Sequence, residues 1–304
     1  MEIEEIWQSP RLPSLPSVAV ELLELSKSED STLADFTALI KSDPAMSIKI
    51  LKAVNSPKFG LKSDINTIDR AVSLLGRNRV ATLALSFCLS PNAHPTGNMA
   101  EQYSRFWLQS LVQATTSEYV AERLGVNADV DYFLSGLLLD IGQLAMLKVI
   151  PDRYWQIFEL AYDAGEAIEE LEQQSLGFDH IEIGTKMLEH WGMPVALVNA
   201  IKSHHLTVDS LGESKDIDAI SSFSAATGDY FVSQRSGLAL EKLQRLANVC
   251  FGWTKKTLDE VLIHVEERTQ EAGEIMSIET NQLRPASEIM SIAMDQLAMV
   301  ALAN

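Results

Sequence analysis

Apolar side chains recur at helical spacing along this sequence, between clear signals for where helices start and end. Near the N-terminus, Leu33, Phe36 and Ile40 fall on one helical face. Asp43 can cap the next helix, with Pro44 at its first position, where a missing N–H costs nothing. No alternating pattern of the kind that β-strands produce competes with these segments. The sequence therefore predicts an all-α fold built from short to medium helices.

The segment Tyr132–Ile150 is apolar on nearly every helical side. A helix of this kind is buried, so we expect it to be the central helix of a multi-helix bundle. Gly136 and Gly142 each weaken a helix by roughly 1 kcal/mol relative to alanine, which indicates close approach of neighbouring helices. The segment also contains Asp140 and Lys148, so it does not reach the run of about 18 uncharged apolar residues that is typical of a membrane span.

The charge balance limits the partners of this chain. Its 304 residues include 42 acidic and 24 basic side chains, which leave a formal net charge of −18. That field repels phosphate backbones and anionic lipid headgroups, so we expect neither nucleic-acid binding nor membrane association. We expect the acidic run EAIEELEQQ, residues 166–174, to be a solvated helix face.

The remaining composition favours a cytoplasmic protein. The N-terminus, MEIEEIWQSP, lacks the basic and apolar regions of a signal peptide. Cys88 and Cys250 lie far apart and have neither redox nor metal-binding spacing. We therefore expect both cysteines to be reduced thiols.

Six segments of the chain match one family in order and spacing. They are LPSLPSVAVELLEL, IKSDPAMSIKILKAVNSPKFGL, INTIDRAVSLLGRNRV, FLSGLLLDIGQLAM, GFDHIEIGTKMLEHWGMP and AIKSHH. Together they resemble the HDOD domain, an output domain of bacterial signalling proteins that is related to HD phosphohydrolases. The resemblance implies a multi-helix HD/HDOD-like bundle over residues 12–208. We expect residues 209–304 to form additional C-terminal helices that pack on this bundle; an alternative is that they lead to a further domain of a longer protein.

The resemblance also implies a metal site whose ligands this chain has mostly lost. HD phosphohydrolases hold a divalent metal with two histidines and two aspartates, which are ligand types that suit such ions. Asp140 matches one aspartate, whereas the histidine before it is replaced by Leu139, an apolar side chain without a lone pair. The first histidine falls at or near Gln109. The last aspartate belongs around Ser221–Ser224, where the segment offers serines and no carboxylate until Asp229.

Three histidines resemble the extra metal ligands of an HD subgroup that cleaves cyclic dinucleotides. They are His180 and the pair His204 and His205, but the Gly-Tyr-Pro signature that follows the pair in that subgroup is absent. Neighbouring residues on a helix diverge by about 100°, so we expect His204 and His205 not to share one ligand role. A buried Asp140 needs a partner, which His180 or His204 could supply. We therefore expect no bound metal, and we interpret Asp140 and the three histidines as vestigial ligands.

These losses favour a non-catalytic regulatory module of bacterial signal transduction, with no catalytic residue and no cofactor. Its expected partners are signalling proteins or a small ligand. An alternative is a metal-dependent phosphohydrolase whose remodelled site uses Asp140, His180 and the histidine pair with a divalent metal. A third hypothesis is an interaction scaffold that forms a homodimer through its C-terminal helix, because the end of the chain is apolar and has no charge after Asp295.

Overall fold

The computed structural model of this chain is helical in every regular element that it describes. The described residues are 3–303, except 29, 57–60, 62, 90–99, 127–129, 165, 214–215 and 235. The predicted all-α fold class is confirmed. In chain order the helices are α1 (Ile3–Trp7), α2 (Ser17–Lys27), α3 (Leu33–Ser42), α4 (Pro44–Val54), α5 (Ile68–Leu89), α6 (Ala100–Leu124), α7 (Tyr132–Leu138), α8 (Ile141–Val149), α9 (Pro151–Ala164), α10 (Ile168–Leu176), α11 (His180–His190), α12 (Val195–Ser203), α13 (Val208–Leu211), α14 (Ile217–Val232), α15 (Ser236–Phe251), α16 (Lys255–Met276) and α17 (Ala286–Ala303).

The chain divides into two compact units. The first unit comprises Met1–Pro13, His94–Thr269 and Glu279–Asn304, and the second comprises Ser14–Ala93 and Gln270–Ile278. Helices on both sides of residue 208 therefore lie in the first unit. The division into a domain that ends at residue 208 and a separate extension stays a prediction.

The helices of the second unit begin where the sequence signals predicted. Thr32 and Asp35 form a capping box at the start of α3, and the Asp43 carboxylate accepts the backbone N–H groups of Ala45 and Met46 at the start of α4. Such caps satisfy the donors that the first helical turn leaves unpaired. Local side-chain chemistry thus sets these boundaries.

The predicted central helix of the first unit is two helices. α7 ends at Leu138 and α8 begins at Ile141, because Asp140 leaves helical geometry with φ −101° and ψ 20°. The two helices pack in different directions. A Cβ atom on Gly136 would lie 2.4 Å from the carbonyl oxygen of Gln113 on α6, and one on Gly142 would lie 2.0 Å from that of His180 on α11. Because of the break, Gly136 packs closely against α6 and Gly142 packs closely against α11. Asp140 lies at the break, between α7 and α8.

This apolar stretch belongs to the protein core. Among the described residues, Tyr132–Val149 is long and apolar enough to cross a membrane by composition, but 78% of it is buried inside the fold. A core segment of a globular unit passes the same test of length and hydropathy.

The C-terminal helices complete the packing of the first unit. Leu258, Val261 and Val265 lie on one face of α16 and are buried, as their spacing predicted. On α17, Ile289 is buried whereas Met299 is 71% exposed. One face of the last helix therefore docks on its own unit, and another face remains at the surface.

Candidate metal centre

Asp140 lies at the start of α8, with 2% of its surface exposed. Its Oδ1 atom is 3.4 Å from Nε2 of His180 and 3.3 Å from Nε2 of His204. Its Oδ2 atom accepts hydrogen bonds from the side-chain amides of Gln113 at 2.7 Å and Gln109 at 3.2 Å. The two carboxylate oxygens thus have different neighbours, the histidines on one side and the amides of α6 on the other.

His180 is the first residue of α11 and is fully buried. The carboxylate of Glu172 on α10 accepts its backbone N–H at 2.8 Å and lies 2.7 Å from its ring Nδ1. The other oxygen of Glu172 accepts the hydroxyl of Tyr154. The prediction that residues 166–174 form a solvated face is therefore wrong at Glu172, which is fully buried. Its three donors replace the hydration that burial removes.

His204 and His205 lie in the turn that follows α12. Nε2 of each residue lies 3.2 Å from Nε2 of His180, and their own ring centroids are 4.1 Å apart. We expected the pair not to share one ligand role because neighbouring residues on a helix diverge; both rings nevertheless converge on His180, and the ligand roles stay a prediction. α12 ends at Ser203, and the N–H of Leu206 closes a turn by donating to the carbonyl of Ser203 at 2.9 Å. That turn directs both rings to the same point.

The outer nitrogen of each of the three rings faces an acceptor. Nδ1 of His180 faces Glu172, Nδ1 of His204 lies 2.5 Å from the carbonyl of Ile201, and Nδ1 of His205 lies 3.5 Å from Glu169 Oε1. These partners assign the Nδ1 protons to the outside of the cluster, which leaves the Nε2 lone pairs on the inside. Histidine ligands of metal ions are oriented in this way.

Burial and neighbouring charges shift the pKa values of several groups in the cluster. Burial opposes a charge on His180, but Glu172 and Asp140 outweigh it and raise the pKa of His180 to about 9. Burial also opposes ionisation of Asp140, yet the neighbouring His204 and His180 bring its pKa down to about 2. For His205, burial and the neighbouring imidazoles lower the pKa well below 6.5. A second charged ring would place two cations with nitrogens 3.2 Å apart. Near neutral pH these shifts favour a charged His180, an ionised Asp140 and a neutral His205.

A divalent ion fits this donor set. In tetrahedral coordination with bonds of about 2.0–2.1 Å, neighbouring ligand atoms lie about 3.3–3.4 Å apart. The separations around Nε2 of His180 are 3.2 Å to each of the other histidines and 3.4 Å to Asp140. One donor atom from each of the four residues lies within 4.8 Å of all the others. Three imidazole nitrogens and one carboxylate oxygen suit zinc and similar transition metals.

A cavity of about 240 Å³ opens beside the cluster, and Asp140 and His205 form part of its wall. Asp229 lines the same cavity from α14, where Gln109 lies 3.4 Å from its Oδ1 atom. Burial, with further contributions from Asp140 and Glu169, raises the pKa of Asp229 to about 7, although Lys242 opposes this shift. Gln109, which the resemblance places at or near the lost first histidine, thus bridges Asp140 and Asp229.

Several residues around the centre had no signal in the sequence motifs. The serines around residue 222 do not take the place of the lost aspartate: Ser222 donates to the carbonyl of Ser203, and Ser224 donates to that of Ile220. Gln113 shares a helical face with Gln109, four residues earlier, and that spacing could have marked both amides. Glu172 could not be found in this way, since its surroundings come from α9 and α11.

Comparison with known proteins gives the family. A family model described as HDOD domain matches residues 12–207. An uncharacterized protein of Treponema pallidum (strain Nichols) is 26% identical over 195 residues, which are 64% of this chain and 37% of that protein. The chain therefore spans little more than a third of the length of this relative.

Two solved structures share the fold. A candidate phosphohydrolase from Shewanella amazonensis SB2B has a TM-score of 0.65 and 24% identity, over 90% of this chain and 98% of that chain. A candidate signal transduction protein from Marinobacter aquaeolei VT8 has a TM-score of 0.61 and 20% identity, over 88% of this chain and 60% of that chain. Identities this low establish the fold alone. Because the family model spans most of the sequence, this chain belongs to the HDOD domain family.

Proposed function

We propose that this chain is a non-catalytic signalling module in which Asp140, His180, His204 and His205 hold one divalent metal ion as a structural element. The observation on which the proposal rests is the convergence of one donor atom from each of the four residues within 4.8 Å of one another, with four of the separations at 3.2–3.4 Å. A bound ion would add positive charge beside the buried carboxylates of Asp140 and Glu172. The proposal replaces the expectation of no metal, which was based on motif positions and not on this convergence.

The ligand set favours a structural role for the ion. Four protein ligands complete a tetrahedral site, whereas catalytic zinc sites keep a position for water or substrate. The ligands come from the start of α8, the start of α11 and the turn after α12. An ion bound there would therefore stabilise the relative positions of three segments of the first unit.

The residues beside the cluster argue against phosphodiester hydrolysis. Two-metal hydrolases clamp the attacking and leaving oxygens between two ions. In this chain the side of Asp140 that would face a second ion accepts hydrogen bonds from Gln113 and Gln109. Leu139 is fully buried and has no lone pair to offer. Among the described residues, the groups in contact with Oδ2 of Asp140 are therefore amides and not the histidine ligands of such a second metal.

The signalling role is supported by family membership and by the absence of a second set of ligands among the residues discussed above. We propose that the module relays the state of a signalling protein or a small ligand through helix packing, without nucleic acid or membrane as a partner. A cytoplasmic location stays a prediction.

Elemental analysis tests the metal. Protein purified without chelator, then reconstituted with Zn²⁺, Mn²⁺, Fe²⁺ or Ni²⁺ and desalted, is expected to retain about one ion per chain of its preferred metal, since four ligands form one closed site. His180→Ala and His205→Ala should lose it. His264→Ala is the matched control, because His264 is an exposed histidine on α16 that pairs with Glu267. Retention by the first two variants, or no retained ion in the native chain, would contradict the proposal.

A metal-dependent phosphohydrolase is the second candidate, and the cavity beside Asp140 and His205 is the observation that favours it. The reconstituted chain is expected to hydrolyse bis-p-nitrophenyl phosphate no faster than Asp140→Asn. Turnover that requires both the metal and Asp140 would establish this candidate and reject the non-catalytic role. The metal content, measured on the same samples, keeps the two parts of the proposal separate.

A further inference from the structure

The cavity beside the cluster has the shape of a small-molecule site. Its volume of about 240 Å³ is slightly below the roughly 300–1,000 Å³ of pockets for drug-sized ligands. Phe158, Val232 and Leu238 contribute apolar wall, and side chains from several helices contribute polar groups. A site of this kind suits a small ligand with an apolar body and one polar end.

The charged side chains of the cavity wall are mainly acidic. Asp140, Glu166, Glu169 and Asp229 line it, against a single lysine, Lys242. Each of these carboxylates lies in or next to a different helix, so the negative potential converges on the space between them.

A bound metal ion would not make the potential of the cavity positive. Glu172, behind His180, adds a further carboxylate to the surroundings of the cavity. Four carboxylates in addition to Asp229 therefore still exceed the ion and Lys242 together. An anionic ligand would enter against this field, whereas a cationic ligand would be attracted by it.

A buried acceptor supports the same conclusion independently. Gln113 lines the cavity and is fully buried, and its Nε2 atom donates to Asp140. Its Oε1 atom has no hydrogen-bond partner among the residues that the structure describes. Buried polar atoms are nearly always paired, so this acceptor is available to a donor that enters the cavity. An ammonium or guanidinium group offers several N–H donors and no acceptor.

We infer that this cavity binds a small organic cation, an amine or guanidinium with a short apolar chain, between Asp229 and Gln113. The inference rests on the proposed signalling role only for what the ligand would do, namely act as the input of the module. Binding itself follows from the cavity, its carboxylates and the buried acceptor. Asp229 supplies the charged hydrogen bond, and the apolar wall contacts the rest of the ligand.

Calorimetry with matched probes tests the charge preference. The metal-reconstituted full-length chain is titrated with n-butylammonium and n-butylguanidinium, then with n-butanol, butyrate and inorganic phosphate. At least one cation is expected to bind about tenfold or more tightly than the neutral alcohol, which is the scale of one charge-assisted hydrogen bond. Equal binding of the alcohol, tighter binding of butyrate or phosphate, or no binding of either cation would overturn the inference.

Variants of opposite expected sign locate the site. Asp229→Asn is expected to weaken cation binding by about tenfold, and Lys242→Met is expected to strengthen it, because it removes a like charge from the wall. Asp218→Asn is the control on the same helix, outside the cavity lining. An unchanged affinity in both cavity variants would contradict the assignment. If the chain retains the metal but does not bind the cations, this inference is refuted and the proposed function is not. If the chain binds the cations but retains no metal, the proposed function is refuted and this inference is not.

Discussion

Gly142→Ala should move α8 away from α11. The candidate metal ligands at the starts of these two helices should therefore be displaced. The added Cβ would lie 2.0 Å from the carbonyl oxygen of His180, and ordinary contact begins at 3.4 Å, so the deficit is 1.4 Å. The next atoms, at 2.8 Å and 2.9 Å, also belong to the backbone, of His180 and Gly184. No side-chain rotation can relieve such contacts, and the two helices must move apart.

The magnitude follows from two opposing effects. Alanine favours a helix over glycine by roughly 1 kcal/mol. Overpacking of a core costs about 1–3 kcal/mol and more where backbone shifts, so we expect a net loss of about 1–3 kcal/mol. At roughly 2–4 °C per kcal/mol, the value for domains of about 150–250 residues, the melting temperature should fall by about 2–12 °C. Asp140 lies two residues before Gly142, so its contact with His180 should lengthen and metal retention should fall as well.

Differential scanning calorimetry and metal analysis of the same samples check this prediction. Gly184→Ala is the graded comparison at the same interface, because its Cβ would meet its nearest atoms only at 3.3 Å. We expect a smaller loss of stability there. A Gly142→Ala protein that melts within 1 °C of the native chain and retains its ion would refute the argument from close approach.

Three further predictions concern single charges and one surface. Asp229 has a pKa of about 7 in the folded chain, whereas its ordinary value is 3.8. The native chain should therefore lose stability as pH rises between these values, because the unfolded state releases this proton first. Between pH 5 and pH 8, Asp229→Asn should become more stable relative to the native chain. The shift allows up to about 4 kcal/mol, and we expect about 1–2 kcal/mol by denaturant unfolding because the side chain is partly exposed; an equal difference at both pH values would contradict this. Glu172→Gln should cost about 3–5 kcal/mol, since it removes the buried partner of His180, whereas the exposed Glu170→Gln should change little in the same measurement. The scaffold alternative predicts a homodimer through α17 that Met299→Glu converts to a monomer in light scattering, and an unchanged mass rejects it.

The all-α class and several helix starts could be predicted because their causes are local. Asp43 caps α4 through N–H groups two and three residues ahead, and the buried face of α16 follows from the spacing of Leu258 and Val261. The break at Asp140 could not be predicted, since it depends on what Gly142 meets on another helix. The burial of Glu172 could not be predicted for the same reason. Its partners lie on α9 and α11, and only the tertiary fold brings them to it.

The chain can lack some residues of the HD motif and still contain a ligand cluster, because the two carboxylate oxygens of Asp140 have different neighbours. The family resemblance places two histidines of the HD site at Leu139 and at or near Gln109, and in this chain the amides of Gln109 and Gln113 contact Oδ2 of Asp140. The histidines on the other side come from the ends of α11 and α12, where helix termini rather than helix faces direct the rings. A substitution at one side therefore does not remove the donors at the other. If the remaining side binds an ion, the chain retains the metal's structural contribution while it lacks the ligand pair for a two-metal reaction.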